Sequence, residues 1–266
     1  MQDSTNMDKM IARQEGMIGH MIFNNPEKHN AVSLEMWDMA DDILDRFEKA
    51  ESVRVLIVSG AGGKAFVSGA DISKFEAERT SKDALDHYNE RIKGVYNRVE
   101  QFVKPTIAMI NGYCLGGGLN LAIACDIRFA SDKSKFGMPA ARLGLGFSFH
   151  SVRRLVNAVG VACAKDLMFS ARRIDAGEAY RIGVLQNVVA EEQLEAMVAD
   201  YAAGIAANAP LTIAAMKFIA GETMKDLAER DLDRCEEMVA RCFASDDYKE
   251  GQSAFKEKRD PAFKGG

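Results

Sequence analysis

The sequence is poor in cysteine, and the few cysteines it has are not arranged for chemistry. Cys114, Cys125, Cys163, Cys235 and Cys242 contain no C-x-x-C pair and mostly have apolar neighbours, which reads as reduced core residues of a cytosolic protein. No cluster has metal-ligand spacing, so no metal is expected. The chain also lacks a dense basic patch, and its net charge of −5 gives no electrostatic footprint for nucleic acid. Nothing approaches 18 consecutive apolar residues, so no membrane association is expected. The opening Met1-Gln2-Asp3-Ser4-Thr5-Asn6 has no basic segment followed by an apolar run, and the expectation is a cytoplasmic protein without an export signal. Internal repeats, low-complexity tracts and long linkers are missing too. So is a nucleotide motif: Ser59-Gly60-Ala61-Gly62-Gly63-Lys64 is glycine-rich, but its spacing is not G-x-G-x-x-G and no Ser or Thr follows Gly63-Lys64.

What is present is apolar residue in quantity. At 47% of 266 residues it is ample for a buried core, in one large domain or a main domain with an appendage. Met17–Phe23 is a near-continuous apolar run ended by Asn24-Asn25-Pro26, which predicts a strand closing in a turn. Ser33 can cap a helix whose apolar positions Met36, Trp37, Ala40, Ile43, Leu44 and Phe47 recur at helical spacing, with Asp38, Asp41, Asp42, Asp45 and Glu48 on a solvated face. Val53–Val58 has the pattern of a strand buried on both sides, and the small-residue stretch Ala65–Ile72 reads as a turn able to bring backbone N–H groups against a ligand. Residues 81–102 are helical in pattern, with Leu85, Tyr88, Ile92, Val95, Tyr96 and Val99 on one side. Strands are expected at 105–110, 127–130 and 184–189, helices at 119–124, 152–159 and 162–169, and a loop at 137–146. This alternation predicts a right-handed α/β arrangement around a mainly parallel sheet. After Ala190 only helices are expected, at 191–207, 210–219, 225–243 and 246–258. The chain is therefore divided into an α/β core, 1–190, and a helical C-terminal region, 191–266, packed on the core or on a neighbouring subunit.

The stretch Ile110-Asn111-Gly112-Tyr113-Cys114-Leu115-Gly116-Gly117-Gly118-Leu119-Asn120-Leu121 runs from an apolar strand through three glycines into an apolar helix. Glycine costs roughly 0.5–1 kcal/mol relative to alanine inside an element, so three in a row call for a return. Either the backbone approaches a ligand, with unpaired N–H groups of the helix start facing a developing negative charge on oxygen, or the glycines only let two helices pack closely.

Four motifs now occur in order: Asn25-Pro26-Glu27-Lys28-His29-Asn30-Ala31, Phe66-Val67-Ser68-Gly69-Ala70-Asp71-Ile72, Asn111–Gly118 and Cys125-Asp126-Ile127. With Ala254–Pro261 near the end, they resemble the crotonase, or enoyl-CoA hydratase/isomerase, superfamily from about Gly16 to Phe263. The resemblance implies an α/β spiral of repeated ββα units with a helical C-terminal trimerisation region, assembled as a homotrimer or a dimer of trimers. It implies an acyl-CoA thioester as substrate, with coenzyme A entering as part of that substrate and no tightly bound cofactor. The family's oxyanion donors fall on the backbone N–H groups of Ala70 and Gly117. Lys28, His29, Ala31, Ala70, Asp71 and Ile72 would lie along the adenine and pantetheine of CoA, and Lys258 is a candidate contact to a CoA phosphate.

The departures concern proton transfer. Family hydratases carry glutamates at the positions of Asn120 and Ala140, and neither an amide nor a methyl takes a proton at neutral pH. Efficient hydration by the usual route is therefore not expected. The missing glutamate at Ala140 counts equally against the standard isomerase and 3-hydroxyacyl-CoA hydrolase mechanisms. Replacement groups in the same frame are His150, which titrates in a useful range, Arg142, which could pair a second carboxylate on the substrate or bind a backbone carbonyl, and Ser148, which could cap the helix beginning near Ser151. Three functions stay open: an enolate-stabilising hydratase/isomerase-like enzyme with altered acid–base residues, a decarboxylase of malonyl-type CoA esters, and a CoA-ester-binding protein of low activity.

Overall fold

The structure, a computed structural model, describes residues 3–7, 9–74 and 81–266. In chain order it begins with β1 (Asp3–Met7), β2 (Met10–Glu15), β3 (Ile18–Phe23), α1 (Leu34–Lys49), β4 (Val55–Gly60), β5 (Ala65–Val67) and α2 (Lys82–Glu100). Next come β6 (Thr106–Ile110), β7 (Tyr113–Leu115), α3 (Gly117–Ala124), β8 (Ile127–Ser131), β9 (Lys135–Gly137), α4 (Ala140–Leu143) and α5 (Phe149–Ser170). The chain ends with β10 (Arg173–Asp175), α6 (Ala176–Arg181), β11 (Asn187–Val189), α7 (Leu194–Ala206), α8 (Pro210–Thr223), α9 (Leu232–Ala244) and α10 (Asp246–Glu257).

The fold is α/β with two mixed sheets. The larger has the order β1-β2-β3-β4-β6-β8-β11, antiparallel from β1 to β3 and parallel from β3 onward. The smaller has the order β10-β9-β7-β5, parallel except for β10 against β9. Burial on both faces explains the continuous apolar run of β4: Leu56 and Val58 face α1, while Val55 and Ile57 face Leu194, Val198 and Ala202 of α7.

Several expectations are corrected by the elements themselves. Between β6 and the glycine turn lies a further strand, β7, so the turn belongs to the smaller sheet. The expected turn over 65–72 likewise starts as strand β5, and the expected loop over 137–146 contains α4. The two helices expected at 152–159 and 162–169 are one run, α5, broken at Gly160 by its left-handed backbone, φ 77° and ψ 161°. Ser33 occupies the N-cap of α1 but makes no capping bond, its hydroxyl being buried without a partner among the described residues. The acidic face of α1 is not simply solvated. Arg91 of α2 pairs with Asp38 and Asp41, and Arg98 pairs with Asp41, Asp45 and Glu48, tying the two helices together. Of the cysteines, only Cys114 and Cys125 are buried, and burial raises both thiols, Cys125 to about 12.

Candidate active site

The glycine turn is positioned by the pairing of two three-residue strands. β5 and β7 run parallel, Ala65 beside Tyr113 and Val67 beside Cys114, so the segments leaving their C-terminal ends emerge side by side. Contact there is too tight for any side chain. A Cβ on Gly118 would lie 2.0 Å from the Val67 carbonyl oxygen, which is why the third glycine is required. Gly116, just before α3, has φ 54° and needs glycine for its backbone conformation.

Each segment leaves backbone donors unused among the described residues, Ala70 and Gly117 included. Val32 N–H donates to the Gly69 carbonyl at 2.9 Å and Asp71 N–H to the Val32 carbonyl at 2.9 Å, which brackets Ala70 in a single parallel bridge. The Ala70 N–H makes no hydrogen bond to a described residue. Gly117 is the first residue of α3, where the helix offers no acceptor, and its N–H also makes no hydrogen bond to a described residue; the first bond of the turn runs from Asn120 N–H to the Gly116 carbonyl at 3.1 Å. The two sequence-predicted donors thus stand on adjacent segments, at a helix N-terminus that favours negative charge.

Behind Gly117 stands a residue that sequence reasoning placed only in an apolar stripe. The Tyr96 hydroxyl donates to the Gly117 carbonyl at 3.0 Å, and burial raises the phenol far above its ordinary range, keeping it protonated. Its ring packs edge-on against Trp37. A buried tyrosine needs a partner for its hydroxyl, and that was the available signal.

Of the two positions where the sequence resemblance expects glutamates in hydratases, Asn120 is 2% exposed and Ala140 opens the short helix α4. Asn120 Nδ2 donates to Ser151 Oγ at 2.9 Å, and Ser151 Oγ lies 2.9 Å from Ser148 Oγ. Ser148 also caps α5 by accepting from Ser151 N–H, as expected for it. Ser151 was read from the sequence only as a helix start. Arg142 is exposed on α4 and pairs with no described residue, neither a carboxylate nor a carbonyl. His150, in the first turn of α5, is half-buried and meets Phe149 edge-on.

The Lys28–Ile72 residues form a second cluster. Lys28 Nζ binds Asp71 Oδ2 at 2.9 Å and Ser73 Oγ at 2.8 Å. Burial pushes the Asp71 carboxyl up, but its bonds from Ser73 and Lys28 outweigh this and hold it below the usual carboxylate range. The loop is pinned by buried Asn30, whose Oδ1 accepts from Asn25 N–H and whose Nδ2 donates to the Ala61 and Ala65 carbonyls. Ala31 is half-buried and its carbonyl accepts from Asn25 Nδ2, while Ile72 begins a turn of 3-10 helix. His29 meets Tyr113 edge-on, and a cavity of about 310 Å³ opens between Pro26, Glu27, His29, Gly62 and Lys64. A larger cavity of about 440 Å³, between Arg54, Lys104, Ile205, Pro210 and Lys264, shares no residue with this site. Lys258 ends α10 in a left-handed conformation, exposed, and no hydrogen bond or ion pair joins it to the cluster.

A sequence model described as enoyl-CoA hydratase/isomerase matches residues 13–266. The chain is 34% identical over 255 residues to a short-chain-enoyl-CoA hydratase of Clostridium acetobutylicum, covering 95% of this chain and 96% of that protein. It is 31% identical over 260 residues to a peroxisomal delta(3,5)-delta(2,4)-dienoyl-CoA isomerase of Arabidopsis thaliana, covering 94% and 93%. Among solved structures, an enoyl-CoA hydratase/carnithine racemase from Magnetospirillum magneticum superposes with a TM-score of 0.92 at 32% identity, over 99% of this chain and 97% of that one.

Proposed function

Because the chain belongs to the enoyl-CoA hydratase/isomerase family, we propose that it is an enzyme acting on an acyl-CoA thioester whose carbonyl oxygen is held by the N–H groups of Ala70 and Gly117. The observation that carries this reading is the pair of backbone donors, unpaired among the described residues, on the adjacent segments after β5 and β7. When a bond at the thioester α-carbon breaks, charge moves onto that oxygen and an enolate forms. Donors already in place stabilise it without reorganising, and one such donor is worth roughly 10²–10³-fold in rate.

The CoA portion is assigned to the Lys28 cluster. The adenine and its phosphates lie near the cavity beside His29 and Lys64, with Lys28 available as a cation and the Ala70–Ile72 backbone along the pantetheine. Lys258 would reach a CoA phosphate in an adjacent subunit, its own chain placing it in no contact with the cluster. In this reading residues 191–266 hold subunits together as a homotrimer or a dimer of trimers, around a core of repeated ββα units.

Acid–base work is where this chain departs from the hydratases. With Asn120 and Ala140 in place of the two glutamates, neither position transfers a proton, and the candidate replacement in that frame is His150. A second reading, decarboxylation of a malonyl-type CoA ester, is favoured by the same absence, since loss of CO₂ generates the enolate without a base.

The test is steady-state hydration of crotonyl-CoA, followed as loss of the enoyl-thioester absorbance, with CO₂ release from malonyl-CoA measured in parallel. Wild-type hydration is expected at least about 100-fold below the ordinary range of roughly 1–10³ per second, and Asn120→Glu with Ala140→Glu is expected to raise it. Wild-type hydration within the ordinary range would contradict the loss of acid–base function. Binding of no CoA ester at all would contradict the thioester reading.

A further inference from the structure

We propose that the cavity of about 440 Å³ between the core sheet and the C-terminal helices is a second binding site, and that it takes a short-chain monocarboxylate. The carboxylate sits on Lys104 and Arg54, and the hydrocarbon lies against Ile205 and Leu211. The site is independent of the acyl-CoA reading, since its lining includes no residue of the glycine turn or of the Lys28 cluster.

Parallel pairing brings the two cations together. Leu56 of β4 pairs with Thr106 of β6, and Arg54 and Lys104 each stand two residues ahead, at the neighbouring starts of those strands. The end of α7 at Ile205, the start of α8 at Pro210 and Leu211, and the tail at Lys264 and Gly265 complete the wall. The tail is held in place by Asp247, 4% exposed, whose carboxylate accepts from Lys264 N–H at 2.7 Å and Gly265 N–H at 2.9 Å. The result has the size and character of a small-molecule site, mostly apolar with a few fixed polar groups.

Charge decides what fits. Arg54, Lys104 and Lys264 line the cavity against one carboxylate, Glu51, and none of the three cations makes an ion pair among the described residues. Arg54 is engaged by neutral carbonyls instead, Nη1 donating to Ala206 at 2.9 Å and Nη2 to Phe263 at 2.6 Å. Lys104 Nζ likewise donates to the Phe47 and Ala50 carbonyls at 2.6 and 2.7 Å. These bonds fix both groups at the ends of α7 and α1 while leaving each of them further N–H donors. Lys104 is half-buried, and burial pulls its ammonium below the usual lysine range against weaker pulls from Glu48 and Glu51. A desolvated cation without a counter-ion is costly, and a bound anion removes that cost. α8 also begins here with no side-chain cap and no acidic residue in its first turn, so its dipole adds to the positive field. Inorganic phosphate would meet the cations and leave Ile205 and Leu211 uncovered, whereas a neutral alcohol would do the reverse. A carboxylate on a short apolar body satisfies both.

The experiment uses the full-length protein with hexanoate as the probe, and 1-hexanol and inorganic phosphate as controls, and reads dissociation constants from ligand-observed NMR titrations. Wild type is expected to bind hexanoate about tenfold more tightly than either control, the scale of one charge-assisted hydrogen bond. Saturating butyryl-CoA should leave hexanoate bound, which separates this cavity from the thioester site. Lys104→Met keeps the apolar stem and removes the charge, so it should weaken hexanoate about tenfold and leave 1-hexanol unchanged. Leu211→Trp, which fills the cavity, should abolish binding of both. Should Lys104→Met fail to fold, Lys264→Gln on the exposed tail takes its place, with weaker hexanoate binding expected. The proposal is overturned if hexanoate does not bind, as when a second copy of the chain closes the cavity, or if butyryl-CoA displaces it. It is equally overturned if a control binds as tightly, or if the folded variants bind hexanoate as wild type does. Failure of the thioester reading would instead show as loss of CoA-ester binding, with hexanoate binding unaffected.

Discussion

At the scale of single residues, the site depends on what stands behind its backbone donors. A Cβ added to Gly117 would lie 2.8 Å from the Tyr96 hydroxyl and near no other atom, so one oxygen enforces glycine there. Tyr96 cannot swing away, since it is buried, bonded to Gly117 and packed on Trp37. Gly117→Ala is accordingly expected to lose about 1–3 kcal/mol of stability by overpacking. Tyr96→Phe in the same chain should recover part of the loss, measured as a positive coupling in a double-mutant cycle of denaturant unfolding. Additive losses would show that Tyr96 does not set the space at Gly117. Much of the candidate site was legible in the sequence, because its glycines, Asn120 and Ala140 are visible without coordinates. Tyr96 and Ser151 were not. A tyrosine in an apolar stripe reads as core, and a serine in a helix's first turn reads as helix start, until a fold brings both against α3.

At the scale of elements, strands within continuous apolar runs, the three-residue β11 among them, could be read ahead of the structure, and the other short ones could not. β3, β4, β6 and β8 combine length with burial, whereas β5, β7, β9 and β10 have three residues each, too few for a period to register. Yet the smaller sheet made of those short strands carries both donor segments. The larger sheet holds a different consequence. His20 on β3, beside Arg13 of β2, is pushed down to about 4, first by burial and then by the Arg13 charge, against a weaker pull from Glu15. Its folded value lies below the unfolded value of about 6.5, so the unfolded chain binds the extra proton between these pH values. Stability from a neutral His20 is present above about pH 6.5 and is lost as pH falls toward 4, by roughly 3 kcal/mol in all. His20→Leu should flatten the pH dependence of unfolding free energy across that window. An undiminished slope in the variant would assign it to other groups.

At the scale of the whole molecule, the C-terminal helices expose side chains that a lone chain has no use for. Phe255 is 86% and Leu227 74% exposed, and Met216, Leu232 and Phe243 are also open, spread across the segment from α8 to α10. These residues are the surface that the proposed homotrimer would bury. Light scattering at micromolar concentration should give a mass three or six times 29.2 kDa. Leu227→Glu with Phe255→Glu should lower it, and a wild-type monomer would refute the assembly.

The central claim is that the Ala70 and Gly117 N–H groups hold a thioester oxygen, and carbon-13 resonance of the bound carbonyl tests it most directly. Butyryl-CoA labelled at C1 is added to wild type, to Tyr96→Phe, and to Tyr96→Phe carrying Gly117→Pro. Proline is tolerated at the first helical position, where the N–H has no intrahelical partner, and so deletes one donor while the phenylalanine makes room. The account predicts a downfield displacement of the carbonyl signal on binding to the first two proteins and a clearly smaller one in the third. A bound ester whose carbonyl resonates as in free solution, or whose displacement survives the proline unchanged, would contradict it.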